Sequence, residues 1–360
     1  MNIEANLNTI TEAASRRDDH VRAMVAWHFS TETGTPRWID WAKSTGFDAI
    51  KEIRSAADLA KFPHFDDETL RREPHEAWIP RAFAGRPFFV FETGGTTGMP
   101  KQRLSWEDHL VDYTEFADAL DDRFFPQGGN WLMAGPTGPR RLRLTIEHVA
   151  HRRGGICYHI DLDPRWVKRM IAAKEFEVAN RYKDHVVDQA VAILKHRKVA
   201  CLFTTPKLLE AIGEKISLIE AGVKGVFCGG TSMTPQNVRF LTEEILEGQA
   251  QLVATYGNTL MGLARSRAIL PEDKWSLTYY APEPRAILRV VQADQPDTTV
   301  EYGEWGRVEL STLTPEFFMP RFLERDEAMR CPPGGGFAWD GVADVRPFQS
   351  STSKIVEGVY

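Results

Sequence analysis

The alternation of hydrophobic and polar positions changes character twice along the chain. Residues 1–85 read as helical and carry several tryptophans, with helices predicted at 18–29 and 36–45. From residue 87 to about 257, short apolar runs take over, at 88–91, 131–134, 156–159, 199–203, 223–228 and 252–256. Longer helix-patterned segments separate them, the signature of βαβ units and a largely parallel sheet. After residue 262 the texture shifts to shorter β-like pieces at 264–270, 285–291, 306–310 and 321–324, which predict a smaller, mostly antiparallel β subdomain. Two helix starts are marked. Ser105-Trp106-Glu107-Asp108 reads as a capping box, and Thr234-Pro235 places an N-cap before a proline at the first helical position. The expected fold is α/β: a helical region over 1–85, a helix-flanked core with a largely parallel sheet over 86–262, the β subdomain over 263–348, and a tail from 349 to 360.

Length and composition narrow this picture. A chain of 360 residues is long enough for a large core or two subdomains with a cleft, and 42% apolar with 26% charged residues is ordinary for a globular protein. A net charge of −6 argues against a general nucleic-acid binder and leaves any anion site to local lysines and arginines. Cys157, Cys201, Cys228 and Cys331 lie far apart, and three fall in apolar runs, so reduced buried thiols are expected. No cluster has zinc-ligand spacing, the first twenty residues lack a secretory apolar core, and no apolar run reaches the roughly 18 to 20 residues that cross a bilayer. A cytoplasmic location, away from membranes, is the default expectation.

The candidate chemistry centres on Glu92-Thr93-Gly94-Gly95-Thr96-Thr97-Gly98-Met99-Pro100-Lys101, which follows the apolar run at 88–91. Glycines let backbone N–H groups approach anionic oxygens, hydroxyls add donors, and a lysine adds a point charge, so the segment reads as a phosphate-holding loop. It is not a Walker A loop: Gly98 and Lys101 are separated by Met-Pro, and Gln102 follows.

This string resembles the phosphate loop of the adenylate-forming superfamily, which includes acyl-CoA and aryl-CoA ligases, luciferases and the adenylation domains of peptide synthetases. Further segments are similar to that family in the same order. Leu202-Phe203-Thr204-Thr205-Pro206 and Val226-Phe227-Cys228-Gly229-Gly230-Thr231 resemble its paired core strands, whose glycine-rich exit borders the nucleotide. Thr255-Tyr256-Gly257-Asn258-Thr259 is similar to its Tyr-Gly-x-Thr-Glu motif, in which tyrosine stacks on adenine, threonine meets the α-phosphate and glutamate helps hold magnesium. Leu260 stands where that glutamate is expected, which leaves the metal ligands unknown. Gly303-Glu304-Trp305-Gly306-Arg307-Val308 is similar to the family's Gly-Glu-x-Gly strand, and Pro320-Arg321-Phe322-Leu323-Glu324-Arg325-Asp326 resembles its Arg-Tyr-x-Thr-Gly-Asp segment, whose aspartate binds ribose. Asp340-Gly341-Val342-Ala343-Asp344 resembles the hinge to a mobile C-terminal domain, with Val342 in place of arginine, and that domain is expected to be absent. Leu59-Ala60-Lys61-Phe62-Pro63-His64-Phe65-Asp66, with Leu70-Arg71, narrows the likeness to phenylacetate-CoA ligase-like proteins and acyl-protein synthetases.

The resemblance implies a ligase that uses ATP with Mg2+ to turn a carboxylic acid into an acyl adenylate. Transfer to a thiol, amine or hydroxyl follows, with CoA or a carrier protein among the acceptors. It assigns catalytic roles to Lys101 and Thr259. Nucleotide contacts fall to Thr93, Gly94, Gly95, Thr96, Thr97, Gly98, Gly229, Gly230, Thr231, Tyr256, Gly257, Asn258 and Asp326. The short architecture resembles ligases of hydroxy- and aminohydroxybenzoates in natural-product biosynthesis, and the aromatic run at 88–91 suits either a flat aryl acid or core packing. Two other readings stay open: an acyl-protein synthetase acting on fatty acids, with Cys331 as acyl carrier, and a non-catalytic nucleotide-binding scaffold. His148 and His151, beside Arg140, Arg141, Arg143, Arg152 and Arg153, form either an anion-attracting cluster or a solvated helix face.

Overall fold

The computed structural model describes residues 3–93, 99–138 and 140–348, with side chains from residue 8 onward. Among them are the strands β1 (Phe89–Glu92), β2 (Gln102–Ser105), β3 (Trp131–Ala134), β4 (Cys157–Ile160), β5 (Cys201–Thr204), β6 (Gly225–Cys228) and β7 (Gln251–Asn258). Six more follow: β8 (Gly262–Ser266), β9 (Thr278–Tyr280), β10 (Ala286–Val291), β11 (Trp305–Leu313), β12 (Phe318–Cys331) and β13 (Gly341–Pro347). An 11-stranded ribbon runs in the order β10-β11-β12-β13-β9-β8-β7-β6-β5-β3-β4. Strands β4, β3, β5, β6 and β7 are parallel. Beyond β7 every pairing is antiparallel. The architecture is α/β, with the parallel and antiparallel halves joined through β7.

The apolar runs are continuous in the parallel half because both sheet faces are covered. Side chains alternate across β3, β5 and β6. Leu132, Ala134, Leu202, Val226 and Cys228 face one core with Val186, Val187, Ala190 and Leu194 of the helix Phe176–His196. Trp131, Met133, Cys201, Phe203 and Phe227 face another, with Phe116 of the helix Asp108–Ala119 and Ile146 and Val149 of the helix Arg141–Arg152. A third core docks the N-terminal helices Ile3–Phe29 and Pro36–Thr45 on the antiparallel half, where Val21, Val25, Trp38 and Phe62 meet Ile287, Leu313 and Phe318.

Two expectations are corrected. The run at 88–91 belongs to no parallel strand: β1 pairs with β2 in a separate antiparallel hairpin, Glu92 opposite Gln102. Local apolarity cannot distinguish these outcomes, because a hairpin strand and a core strand share the pattern. Ser105 is not a capping residue either; it ends β2. The helix that follows is capped from a distance by Glu316, whose carboxylate accepts from the amides of Trp106 at 2.8 Å, Glu107 at 2.5 Å and Asp108 at 3.1 Å, and from the Ser105 hydroxyl at 2.9 Å. Thr234 does cap its helix, in a box with Asn237.

Candidate functional site

The hairpin supplies the first part of the site. Its loop is pinched shut where the Thr93 amide donates to the Lys101 carbonyl at 2.9 Å and the Lys101 amide donates to Thr93 Oγ1 at 3.1 Å. Gly94, Gly95, Thr96, Thr97 and Gly98 lie outside the described residues. The Lys101 side chain is 6% exposed, ion-paired with Asp67 and 5.8 Å from the centre of the Phe322 ring. Burial, and then the nearby Arg325 charge, lower its pKa to about 8, while Glu324 and Asp66 act in the opposite sense. Arg165 steadies the stem by donating to Glu92 Oε2 at 2.8 Å and to the Thr93 carbonyl at 3.1 Å.

The turn after β7 supplies the second part. Asn258 Oδ1 accepts from the amides of Leu260 at 2.8 Å and Met261 at 2.9 Å, which folds the chain back into β8. Gly257 is required by that return, since a Cβ there would lie 2.1 Å from the Gly262 carbonyl oxygen. Thr259 Oγ1 donates to the Glu92 carbonyl at 3.2 Å, so the turn touches the hairpin stem directly. Arginines secure its carbonyls: Arg103 donates to Leu260 at 2.7 Å and Arg141 to Asn258 at 2.9 Å. Leu260 is 3% exposed and belongs to the main apolar core.

The third part comes from β12. The Tyr256 hydroxyl donates to Asp326 Oδ2 at 2.9 Å, and burial lifts the Asp326 carboxyl above its ordinary pKa. Tyr256 is itself held well above the usual phenol range, by burial first and then by Asp326 and Glu324, so it stays a hydrogen-bond donor. Glu324, 9% exposed, accepts from Asn258 Nδ2, and burial, aided by the Asp326 charge, raises it to about 7.

Gly230, Thr231, Tyr256, Gly257 and Asp326 line one cavity of about 480 Å³. It opens at the carboxyl ends of β6 and β7, the edge where α/β sheets bind ligands. Gly230 adopts φ +92°, a conformation that suits glycine. Gly229 stays outside this lining and packs under β7, where a Cβ would stand 3.3 Å from Thr255 Oγ1. A larger cavity, about 1030 Å³, reaches Gln251 at the opposite end of β7 and contains none of the expected residues.

Nucleotide donors and acceptors suit this arrangement: the Tyr256 ring and the Asp326 carboxylate line the cavity, while Glu324, against Asn258, and the Lys101 ammonium, paired with Asp67, stand outside its lining. A protein-held Mg2+ fits less well. Leu260 offers no side-chain oxygen and its carbonyl is taken by Arg103 and Thr312, and among the described residues no three His, Cys, Asp or Glu side chains gather where they could hold a metal ion.

No protein-family model matches the chain, and no curated protein matches it either. Solved structures do. The postadenylation state of a 2-hydroxyisobutyryl-CoA ligase superposes with a TM-score of 0.66 at 12% identity, covering 93% of this chain and 67% of that one. An open conformation of the same ligase gives 0.67 at 14% identity, covering 96% and 77%. The chain has the fold of this ligase.

Within this fold, the structure gathers Thr93, Lys101, Asn258 and Thr259 at the hairpin stem and Tyr256 and Asp326 beside them. It divides the basic residues at 140–153, with Arg140 and Arg143 lining a separate cavity near Asp161 and Arg165. Arg141 turns inward to Asn258, Arg152 pairs with Asp118 at 2.8 Å, and Arg153 is buried with Asp122 and the Phe125 carbonyl. His148 hydrogen-bonds Thr114 at 2.7 Å. Cys331 closes β12 opposite Gly341, and burial raises its thiol, which disfavours the thiolate a nucleophile needs. Sequence reasoning overlooked Asp67, Arg103, Arg165 and Glu324. Only Glu324 carried a signal, as an acid where the resembled motif has threonine.

Proposed function

We propose that this chain is an ATP-dependent, AMP-forming ligase that converts a carboxylic acid into an acyl adenylate and pyrophosphate, then passes the acyl group to a thiol, amine or hydroxyl. The observation that carries the reading is the Tyr256–Asp326 hydrogen bond in the lining of a cavity that also exposes Gly230 and Thr231, with the turn after Tyr256 touching the hairpin of Lys101. Asp326 offers the acceptors that ribose hydroxyls require, and Tyr256 offers a ring face for adenine. Residues 93–98 and Lys101 would guide the β- and γ-phosphates, with Thr259 near the α-phosphate. Two anions must meet in this reaction, so the protein's task is to align them and balance their charge. Bound Mg2+ would add charge neutralisation on the phosphates.

Support for the chemistry comes from the same-fold 2-hydroxyisobutyryl-CoA ligase, which has been solved with an acyl adenylate and CoA. CoA is therefore the first acceptor to test, ahead of a carrier protein. For the acid, a substituted benzoate is the working choice. Phe89 on the hairpin is half-buried, and the Arg140 guanidinium lies 5.4 Å from its ring, a cation beside an aromatic face that suits a flat anion. Supplying ATP, pyrophosphate and a panel of aryl, fatty and short hydroxy acids tests the proposal: acid-dependent label exchange between pyrophosphate and ATP is expected with at least one aryl acid. Exchange confined to fatty acids would move the substrate to the acyl-protein synthetase reading, and ATP binding without exchange would leave a nucleotide-binding scaffold.

A further inference from the structure

Glu324 sits in the molecule at a cost that packing does not explain. Other buried acids have strong partners: Glu309 meets Arg321 and Arg289, Asp112 meets Arg285, and Glu316 takes three backbone amides. Glu324 has no ion pair within 4.0 Å among the described residues. Its side chain accepts from Asn258 Nδ2 and, at 3.3 Å, from the amide of Arg325. A carboxylate has about four acceptor sites, so half of its capacity is unused in a place almost closed to water. Such an expense points to function more than to stability.

Its surroundings indicate which function. Through Nδ2 it fixes the Asn258 side chain, whose Oδ1 shapes the turn that carries Thr259 to the hairpin. Its charge is felt by Lys101 on the hairpin, Tyr256 on β7 and Arg307 on β11, and its own state responds to Asp326 and Lys101. Lys101 is itself ion-paired with Asp67 and feels Asp66, both of which favour its ammonium as Glu324 does, while Arg325, next to Glu324, opposes it. Meanwhile position 260, where the resembled motif carries an acid, is an apolar core residue.

We propose that Glu324 is the positioning acid of the nucleotide site, holding Asn258 and the Thr259 turn in place and adding a second negative charge to that of Asp67 on the Lys101 side of the site, so that β12 supplies the negative charge that position 260 lacks. This rests on the adenylation reading for its catalytic consequence, but the coupling of Glu324 to Lys101 stands on nucleotide binding alone. Removing the Glu324 charge withdraws an attraction that favours the ammonium, so Lys101 should lose its proton at lower pH.

The test measures ATP affinity against pH by fluorescence or calorimetric titration for the full chain, Glu324→Gln and Glu324→Asp, with pyrophosphate exchange in parallel. Gln keeps an acceptor for Asn258 and removes the charge; Asp keeps the charge on a shorter arm. In the unaltered protein, affinity should fall as pH rises through about 8, where Lys101 deprotonates. In Glu324→Gln that fall should begin at lower pH, by roughly half a unit or more, while Glu324→Asp leaves it near its original place and loses turnover through the displaced turn. An alkaline limb in Glu324→Gln that coincides with the unaltered protein's would overturn the proposal, as would a chain that binds no ATP. ATP binding with the expected shift but no exchange with any acid would keep the Glu324 assignment and remove the adenylation reading.

Discussion

At the scale of single residues, the site depends on groups held in unusual states by burial. The Lys101 ammonium is shared with Asp67, which must yield it for the side chain to reach a phosphate. Asp67→Asn should therefore tighten ATP binding several-fold, because one competitor for the charge is gone; titration of both proteins with ATP checks this, and weaker binding would make Asp67 a support instead of a rival. Lys101→Ala should reduce exchange turnover by about a hundredfold, the typical loss for one charge-stabilising donor. Tyr256→Phe removes only the hydrogen bond to Asp326 and keeps the ring, so the KM for ATP should change by less than about tenfold. Much of this was legible: Lys101, Tyr256, Thr259 and Asp326 belong to motifs that can be recognised in linear order. Asp67 and Arg103 were not, because their roles come from chain crossings. Glu324 was visible as a departure, and its meaning emerged only when Asn258 was found against it.

Among the elements, the hairpin and the helix after it show where local reading stops. Thr234 was readable as an N-cap from the proline that follows it, and the box it forms with Asn237 closes within three residues. The cap of the helix Asp108–Ala119 is Glu316, which lies 208 positions from the amide of Asp108 and 210 from that of Trp106. Glu316→Ala should strand three amides and the Ser105 hydroxyl together, costing about 2 to 3 kcal/mol, measurable as a lower denaturation midpoint with unchanged slope. Strand β12 tells a similar story: it runs for 14 residues, yet only 321–324 stood out as β-like, since Arg325, Asp326 and Glu327 break its apolar pattern. Its polar positions meet the candidate site at Glu324 and Asp326 and anchor the N-terminal region at Arg321. Arg321 donates to the Phe62 carbonyl at 2.7 Å and the Ala60 carbonyl at 2.9 Å.

For the whole molecule, this docking of the N-terminal helices matters because their core rests on the strands that carry Glu324 and Asp326. Trp38 Nε1 donates to the Phe318 carbonyl at 2.9 Å, and His28 donates from Nε2 to the Thr314 carbonyl at 2.6 Å while Nδ1 meets Thr35 Oγ1 at 2.7 Å. Burial lowers the His28 pKa to about 4, so the folded form binds it neutral. An unfolded chain takes up that proton near pH 6.5, so the stability His28 contributes is complete above that value and drains away as pH falls towards about 4. The loss amounts to about 3 kcal/mol over the window, and thermal unfolding of His28→Gln should show a flatter acid dependence than the unaltered protein. Apolar rhythm announced the parallel half most clearly, since β3, β5 and β6 are buried along their whole length. The fusion of the two halves through β7 was not announced, because β-pairing joins residues far apart in the chain. That fusion brings Tyr256 of β7 and Asp326 of β12 to one cavity, with the turn after β7 touching the hairpin stem through Thr259, and the proposed chemistry rests on it. The most direct measurement is acid-dependent ATP–pyrophosphate exchange by the full chain and Lys101→Ala. The account predicts exchange with at least one carboxylic acid, most strongly an aryl acid, and its near-loss in the variant. ATP binding with no exchange for any acid in the panel would contradict it.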